Sequence, residues 1–190
     1  MAPQLEAYRQ QFEDIADQAK RLAAGLTEAE FNQRPAPGEW CIEECLSHLI
    51  AVGTVQVEAI EQAISRAHAK GLTGQGPFEY SAFERMIIRE SDTPVRHAMR
   101  APKRFQPLHG QPVTAVLPTF LHVQRQLGLQ VERCGELDLR KVKVATPVSR
   151  FLKFSLGGTF EVVAAHERRH IEQARRVRER IKPLAQVHGG

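Results

Sequence analysis

Three histidines of this chain are spaced as ligands to a single metal ion would be. His166 and His170 form an H-x-x-x-H pair in TFEVVAAHERRHIEQARRV, and His48 lies far upstream in EWCIEECLSHLIAV. Residues four apart on a helix share one face, so the imidazoles of such a pair point toward one position. A third imidazole from another helix would leave a coordination position open for water or substrate, as in catalytic metal sites. The spacing predicts a metal site of His48, His166 and His170.

Two other interpretations of these histidines stay open. A histidine on a core face is often a hydrogen-bonded residue rather than a ligand, because a buried imidazole must be neutral or paired. The string HERRH also matches the H-E-x-x-H pattern of zinc metalloproteases, with Glu167 as the base. The lack of a strand-rich lobe in the sequence disfavours a metalloprotease. Four residues are expected to lie outside the apolar seam of their helix: Glu167, Arg168, Arg169 and Glu172.

Apolar residues three and four apart predict the helices that would position these side chains. The predicted helices are a first one with its seam from Leu5 to Leu26, a second over Trp40–Lys70, a short one over Phe78–Arg89, a third over Val113–Cys134, and a last over Thr159–Ile181. Thr159 is expected to cap the last helix. The segment Ser91–Pro112, with four prolines, predicts a crossover with little regular structure. We expect an all-α four-helix bundle with a long crossover connection, as a single domain over residues 1–190.

The sequence also makes predictions for the buried face of the second helix and for the segment before the last helix. The seam of the second helix is predicted to pass through Cys41, Cys45, His48, Val52, Val55 and Ala59, with Ala63 as a candidate continuation. Between Asp138 and Gly157 the pattern is ambiguous. Thr146-Pro147 is compatible with a short helical turn through Phe154, whereas residues 141–144 alternate like a short strand.

The composition of the chain excludes several classes of protein. Its 190 residues are 42% hydrophobic and 25% charged, which is typical of a globular domain. The sequence has no apolar run of membrane-spanning length and no apolar secretory segment near its start, so we expect a cytoplasmic protein. Its three cysteines are too few for a disulfide framework and suit a reducing compartment. The net charge of +4 and the basic stretch after His166, which glutamates interrupt, do not favour nucleic-acid binding.

Several side chains near the predicted site have two interpretations. Cys41 and Cys45 share the face of His48 and are either thiolate ligands or, as expected for free cysteines, small buried hydrophobes. Glu44 either orients His48 as an outer acceptor or is a solvated residue at the helix start, which we favour. Trp40 either forms a wall of the pocket or, as we expect, anchors the helix start in the core. The remaining histidines are expected to lie away from the site: His68, His97, His109, His122 and His188.

Taken together, these residues resemble the DinB-like family, also described as YfiT-like metal-dependent hydrolases. The matching residues are Trp40, the E-x-L-x-H-L string that contains His48, the H-x-x-x-H-x-x-Q string from His166, and the lead-in Gly158-Thr159. Cys41 departs from the pattern, because relatives commonly have Ser or Thr after the tryptophan. Residues 71–112 carry no signature of the family.

The resemblance implies a four-helix bundle in which His48, His166 and His170 bind a divalent metal such as zinc or nickel. It also implies kinship with transferases and isomerases that use bacillithiol or mycothiol. We therefore expect an enzyme that transfers a small thiol to an electrophilic small-molecule substrate. The alternatives are a hydrolase that uses metal-bound hydroxide, a non-catalytic bundle that the metal stabilises, and a binding module with a basic surface. A homodimer is expected because bundles readily bury spare apolar faces against a copy.

Overall fold

A computed structural model describes residues 2–93 and 101–185 of the chain. The four long helices are α1 (Pro3–Ala23), α3 (Ile42–Ala69), α5 (Val113–Arg133) and α6 (Leu156–Ala185). The shorter elements are α2 (Glu28–Phe31), α4 (Ala82–Ser91), a 3-10 turn (Lys103–Phe105), and two antiparallel strands, β1 (Lys143–Thr146) and β2 (Ser149–Ser155).

The four long helices form the predicted bundle. α1 and α3 each pack against both α5 and α6, and the short helix α4 packs on α6. The core between them is filled by large apolar side chains such as Phe12, Phe120 and Phe160, each at most 1% exposed. This arrangement confirms the predicted four-helix bundle, whereas the single domain over the whole chain stays a prediction. No helix in the described part of the chain combines the length and apolar character needed to cross a membrane.

The start of α3 is fixed by a capping box. The Cys41 thiol accepts a hydrogen bond from the backbone N–H of Glu44, and the Glu44 carboxylate accepts one from the backbone N–H of Cys41. Such reciprocal bonds satisfy two of the donors that every helix start leaves without a partner inside the helix. The predicted helix over Trp40–Lys70 is therefore confirmed to within two residues, with cysteine in the capping role.

The start of α6 differs from the prediction. Ser155, not Thr159, precedes the helix, and its hydroxyl accepts a hydrogen bond from the backbone N–H of Gly158. Thr159 lies inside the first turn, where its hydroxyl donates to the Ser155 carbonyl. The prediction was wrong because the apolar pattern of Leu156 to Phe160 continues the helix upstream of the expected cap.

Residues 143–155 form a hairpin rather than the helical turn that was considered from Thr146 to Phe154. Pro147 occupies the turn between the two strands. Val144 and Phe154 lie opposite each other in the ladder, and both are buried. The strands are too short for their alternation to stand out in the sequence.

The buried face of α3 also follows a different line from the one predicted. Val55 is 39% exposed, whereas Ile60, Ile64 and Ala67 are buried, as is Ala63 at the end of the predicted seam. The predicted seam assumed a repeat of 3.5 residues per turn, but a straight α-helix has about 3.6, so the true face rotates away over many turns. His48 lies before this drift accumulates and is buried as predicted, 4% exposed.

The crossover before α5 is described only in part. α4 extends to Ser91, and residues 101–112 contain no regular element other than the 3-10 turn. Residues 94–100, on which part of the prediction depends, lie outside the described residues.

Candidate metal centre

His48 of α3 meets His166 and His170 of α6 at the interface between the two helices. One ring nitrogen from each histidine lies within 4.8 Å of the other two. The Nε2 atoms of His48 and His166 are 3.4 Å apart. The ring centroid of His170 lies 4.7 Å from the ring centroid of His48 and 4.7 Å from that of His166. The structure thus brings together the three residues that the sequence singled out.

Hydrogen bonds to the outer nitrogens fix two of these rings. His48 Nδ1 lies 2.7 Å from the carbonyl oxygen of Phe105, and His170 Nδ1 lies 2.9 Å from Gln173 Oε1. An Nδ1–H that donates to an oxygen leaves the lone pair on Nε2, which is the tautomer that a metal ligand needs. Both bonds therefore select Nε2 as the free nitrogen.

The donor set fits a divalent ion in both chemistry and spacing. Zinc–nitrogen bonds of about 2.0–2.1 Å at tetrahedral angles place ligand nitrogens about 3.4 Å apart. The separation of His48 Nε2 and His166 Nε2 is 3.4 Å. Three imidazoles leave further coordination positions for a water or a substrate atom.

Burial keeps these imidazoles neutral. It lowers the pKa of His166 to about 3, because a charged ring there would be desolvated and would also be repelled by a protonated His48 and by Arg169. It lowers the pKa of His170 to about 2, with His166 and His48 as further causes, and it also lowers the pKa of His48. Since only the neutral ring offers a lone pair, all three histidines are in the ligating form at neutral pH.

Trp40 forms one wall of the site. Its ring centroid lies 5.0 Å from that of His48 and 5.8 Å from that of His170, onto which it stacks. The side chain is only partly buried. Both interpretations of Trp40 therefore hold, because its side chain packs against the core as expected and its ring also lies against two of the three imidazoles.

Glu44 has neither of the two roles that were considered for it beside the histidines, although it is the capping partner of Cys41. It is 2% exposed, so the solvated interpretation was wrong. Its carboxylate accepts hydrogen bonds from the Arg34 guanidinium and from the backbone N–H of Cys41. The acceptor that orients His48 is the Phe105 carbonyl, a backbone group that no side-chain motif could reveal.

Glu167 was expected outside the seam, and this was wrong as well. It is 2% exposed, and its Oε1 accepts a hydrogen bond of 2.8 Å from Gln124 Nε2 on α5. Burial raises the pKa of this carboxyl to about 8, although the bond from Gln124 opposes the shift. The carboxyl therefore lies between α5 and α6, with an amide as its partner.

All three cysteines are free and buried. Burial raises the pKa of the Cys41 and Cys134 thiols to about 12 and also raises that of Cys45. These shifts fit the expected role of small buried hydrophobes. Cys41 nevertheless has a polar neighbour, since its Sγ lies 3.8 Å from Nδ1 of His109.

The other histidines lie largely as expected. His68 and His122 are exposed, and His68 Nε2 is 2.9 Å from the carbonyl of Arg133 at the end of α5. His109 is exposed too, but it contacts Cys41 and Glu44, which the sequence did not suggest. His97 and His188 lie outside the described residues.

Arginines of the basic stretch after His166 have partners within the chain. Arg168 pairs with Asp92, Arg175 with Glu172 and Arg180 with Glu39. Arg178 donates to backbone carbonyls at the end of α1. The contacts of Arg168, Arg178 and Arg180 tie α6 to other parts of the chain, and the carboxylate partners offset part of the charge of this basic stretch.

The chain is similar to known proteins in both sequence and structure. The sequence profile of the DinB superfamily matches residues 11–174. The chain is 23% identical over 159 residues to the uncharacterized protein YuaE of Bacillus subtilis, a match that covers 83% of this chain and 89% of YuaE. The structure of YfiT from Bacillus subtilis, described as "a probable metal-dependent hydrolase with an unusual four-helix bundle topology", superposes with a TM-score of 0.60 at 11% identity. That superposition covers 96% of this chain and 90% of YfiT.

Proposed function

Because this chain belongs to the DinB superfamily, we propose that it is a metal-dependent enzyme whose ion is held by His48, His166 and His170. We further propose that the reaction is the transfer of a small thiol to an electrophilic small-molecule substrate. The observation that carries the proposal is the convergence of three neutral imidazole nitrogens, all within 4.8 Å of one another.

The chain's own residues hold and orient the donors. The Phe105 carbonyl and the Gln173 amide oxygen keep Nδ1 of His48 and His170 protonated, so that Nε2 faces inward. Trp40 covers one side and limits access of water. A divalent ion with three neutral ligands retains its full charge and, when bound, lowers the pKa of a thiol or water that joins it.

The thiol must come from outside the chain. The three cysteines are buried, and the pKa of each thiol is raised, which is the opposite of what a nucleophilic thiolate needs. With an ion held by His48, His166 and His170, a free small thiol would lose its proton to solvent. Its sulfur would then form the new bond to the electrophilic carbon, and the leaving group of the substrate would depart to solvent with the bonding electron pair. Such thiols stay reduced in the cytoplasm, where we place the protein.

Hydrolysis is the second candidate, since water can take the same open position. The description of YfiT as a probable metal-dependent hydrolase supports it. Imidazole ligands suit both zinc and nickel, and we propose one of these two ions. The homodimer expected from the sequence stays a prediction.

Thiol binding to the cobalt-substituted protein tests the proposal. Protein without a tag is stripped of metal, loaded with one equivalent of Co²⁺, and titrated with bacillithiol, mycothiol and glutathione in turn. Thiolate ligation adds a sulfur-to-cobalt charge-transfer absorption beyond that of the thiol-free sample. We expect a saturable increase with at least one thiol and none with its S-methylated form.

The controls separate the two candidate reactions. A His166→Ala variant should lose cobalt binding at the three-histidine centre and, with it, the increase in absorption that the added thiol causes. If none of the thiols gives a saturable increase in absorption and the protein releases product from ester or amide substrates, hydrolysis is favoured. A protein that binds no cobalt through these histidines would contradict both.

A further inference from the structure

A second group of donor atoms lies at the start of α3, outside the three-histidine centre. It consists of the Cys41 thiol, the Glu44 carboxylate and the His109 imidazole, whose ligand atoms lie within 4.8 Å of one another. His109 Nδ1 is 3.8 Å from Cys41 Sγ and 3.7 Å from Glu44 Oε2. The three residues come from two separate parts of the chain, the first turn of α3 and the segment before α5.

We propose that Cys41, Glu44 and His109 form a second divalent-cation site, of the kind that takes zinc, which fastens the segment before α5 to the start of α3. Thiolate, imidazole and carboxylate are the three side-chain ligands that proteins offer to zinc. Bond lengths of about 2.0–2.3 Å at tetrahedral angles place such atoms about 3.4–3.6 Å apart. The distances from His109 Nδ1 to Cys41 Sγ and to Glu44 Oε2 exceed this by only a few tenths of an ångström, and Cys41 Sγ lies within 4.8 Å of the Glu44 carboxylate.

The burial of the three residues is graded in a way that suits entry of an ion from solvent. Cys41 is fully buried and Glu44 is 2% exposed, whereas the side chain of His109 is 44% exposed. His109 thus covers two interior donors from outside and can turn to admit an ion. On binding, the thiol loses its proton to solvent, as metal ligation requires.

The surrounding charges both favour and oppose a cation. Glu43 is fully buried, and its Oε2 lies 4.0 Å from Cys41 Sγ, so it adds a second carboxylate beside the thiol. Arg34 opposes the cation, because its guanidinium pairs with Glu44. The Arg34 side chain is 45% exposed and can swing away when an ion takes the carboxylate oxygen. Arg34 is therefore a competitor for the site.

The role of helix cap does not by itself explain a cysteine at position 41. A thiol is a weak hydrogen-bond acceptor, and Ser, Thr, Asp or Asn caps a helix better. A second cation would account for the sulfur, and it would have a consequence for the main centre. His109 lies four residues after Phe105, whose carbonyl holds His48. Fixing His109 would also fix that carbonyl over His48.

Cobalt titration of the intact, metal-free protein tests this site. We expect two equivalents of Co²⁺ to bind in the absence of any added thiol, one of them with a thiolate-to-cobalt charge-transfer absorption. Cys41→Ser should lose that absorption and one equivalent, while keeping the fold, because serine is a better cap than cysteine. Cys134→Ser, which alters another buried thiol far along the sequence, should leave the absorption unchanged.

Three further variants sharpen the test. His109→Ala, a change at an exposed side chain, should weaken the second equivalent at least tenfold. Arg34→Gln should strengthen it, because a competing charge is removed. His166→Ala should lose the other equivalent but keep the thiolate absorption, so a failure of the three-histidine centre is distinguishable from a failure here.

Two results would overturn the proposal. One is a wild-type titration that saturates without thiolate absorption. The other is an absorption that persists unchanged in Cys41→Ser or in His109→Ala.

Discussion

The Nε2 atoms of His48 and His166 lie 3.4 Å apart, although 118 residues separate the two histidines in the chain. His48 Nδ1 is bonded to a backbone carbonyl, so the lone pair of its ring faces His166. Two imidazole nitrogens at this distance match one edge of a tetrahedral metal site. The packing of α3 on α6 creates this edge, and His170, one turn further along α6, completes the triangle.

The neutral histidines predict acid sensitivity of the metal-free protein. The pKa of His166 falls to about 3 and that of His170 to about 2 in the folded state, from an ordinary value of 6.5. Between the folded-state pKa values and 6.5, the unfolded chain binds protons that the folded chain does not. The free energy of unfolding therefore falls as the pH drops below about 6.5, and it continues to fall to about pH 3. Urea unfolding at successive pH values measures this decline.

The matched variant replaces both histidines of α6. His166→Gln combined with His170→Gln removes the two groups that take up protons on unfolding, so the slope of unfolding free energy against pH should flatten over this window. Parallel slopes for the variant and the wild type would show that other groups cause the acid sensitivity.

Glu84 links the starts of α4 and α6. Its Oε1 accepts from the Ser155 N–H at 2.6 Å, and its Oε2 accepts from the N–H and hydroxyl of Ser81. Burial alone would raise the pKa of Glu84, but these bonds lower it to about 2. The ionised carboxylate therefore stabilises the fold fully above pH 4.5, and this contribution is lost as pH falls toward 2.

A neutral amide at position 84 cannot accept all of these bonds. Glu84→Gln should lower the unfolding free energy at pH 7 by about 1–3 kcal/mol, because a buried N–H loses its acceptor. Glu79→Gln, a change at an exposed carboxyl nearby, should stay within about 0.5 kcal/mol. Chemical denaturation of both variants decides, and equal effects would refute the role of Glu84.

Gly157 is required by its contact with Tyr80. A Cβ atom at this position would lie 1.8 Å from the Tyr80 hydroxyl oxygen and 2.5 Å from the ring carbon that bears it. The ring cannot easily move, because its hydroxyl is hydrogen-bonded to Tyr8 and Gln4. Gly157→Ala should destabilise the protein by about 1–3 kcal/mol through overpacking.

Gly128 provides the control for that substitution. It lies inside α5, and a Cβ atom there would have nothing within 4 Å. Gly128→Ala should stabilise the protein by about 0.5–1 kcal/mol, because alanine favours a helix over glycine. Thermal unfolding measures both variants, and a shift of the same sign in the two would contradict the steric account.

Arg178 fastens α6 to the C-terminal end of α1. Its guanidinium donates to the carbonyls of Arg21, Leu22 and Ala24, at distances of 2.5–2.9 Å. Arg178→Gln should cost about 1–3 kcal/mol, because these carbonyls lose a charged donor. Arg175→Gln, which breaks pairs with carboxylates of its own helix at a 54% exposed side chain, should cost less than about 0.5 kcal/mol. Indistinguishable denaturation midpoints would refute this difference.

The sequence reveals the helices and the histidines because both depend on local periodicity. The spacing of His166 and His170 places them on one face of α6 whatever the tertiary structure. Gln173 also carries a signal, since it follows His170 at the three-residue spacing that lets helix side chains meet. Its bond to His170 Nδ1 could have been predicted from the sequence alone.

The remaining contacts depend on tertiary packing and leave no local trace. The Phe105 carbonyl is a backbone group, and His109 reaches Cys41 from a segment without regular structure. Glu167 was expected outside the apolar seam, but α5 presents Gln124 to it. In each case the partner lies on another part of the fold, and a single sequence contains no information about the distance between two such residues.

The most direct test of the account is the metal content of protein purified without a tag. We predict one equivalent of divalent metal that depends on the three histidines, so that His48→Ala, His166→Ala and His170→Ala each lose it while His122→Ala, a change at an exposed histidine, does not. Elemental analysis measures the content, and circular dichroism checks that each variant is folded. Folded single variants of all three histidines that keep the full wild-type content would contradict the central claim.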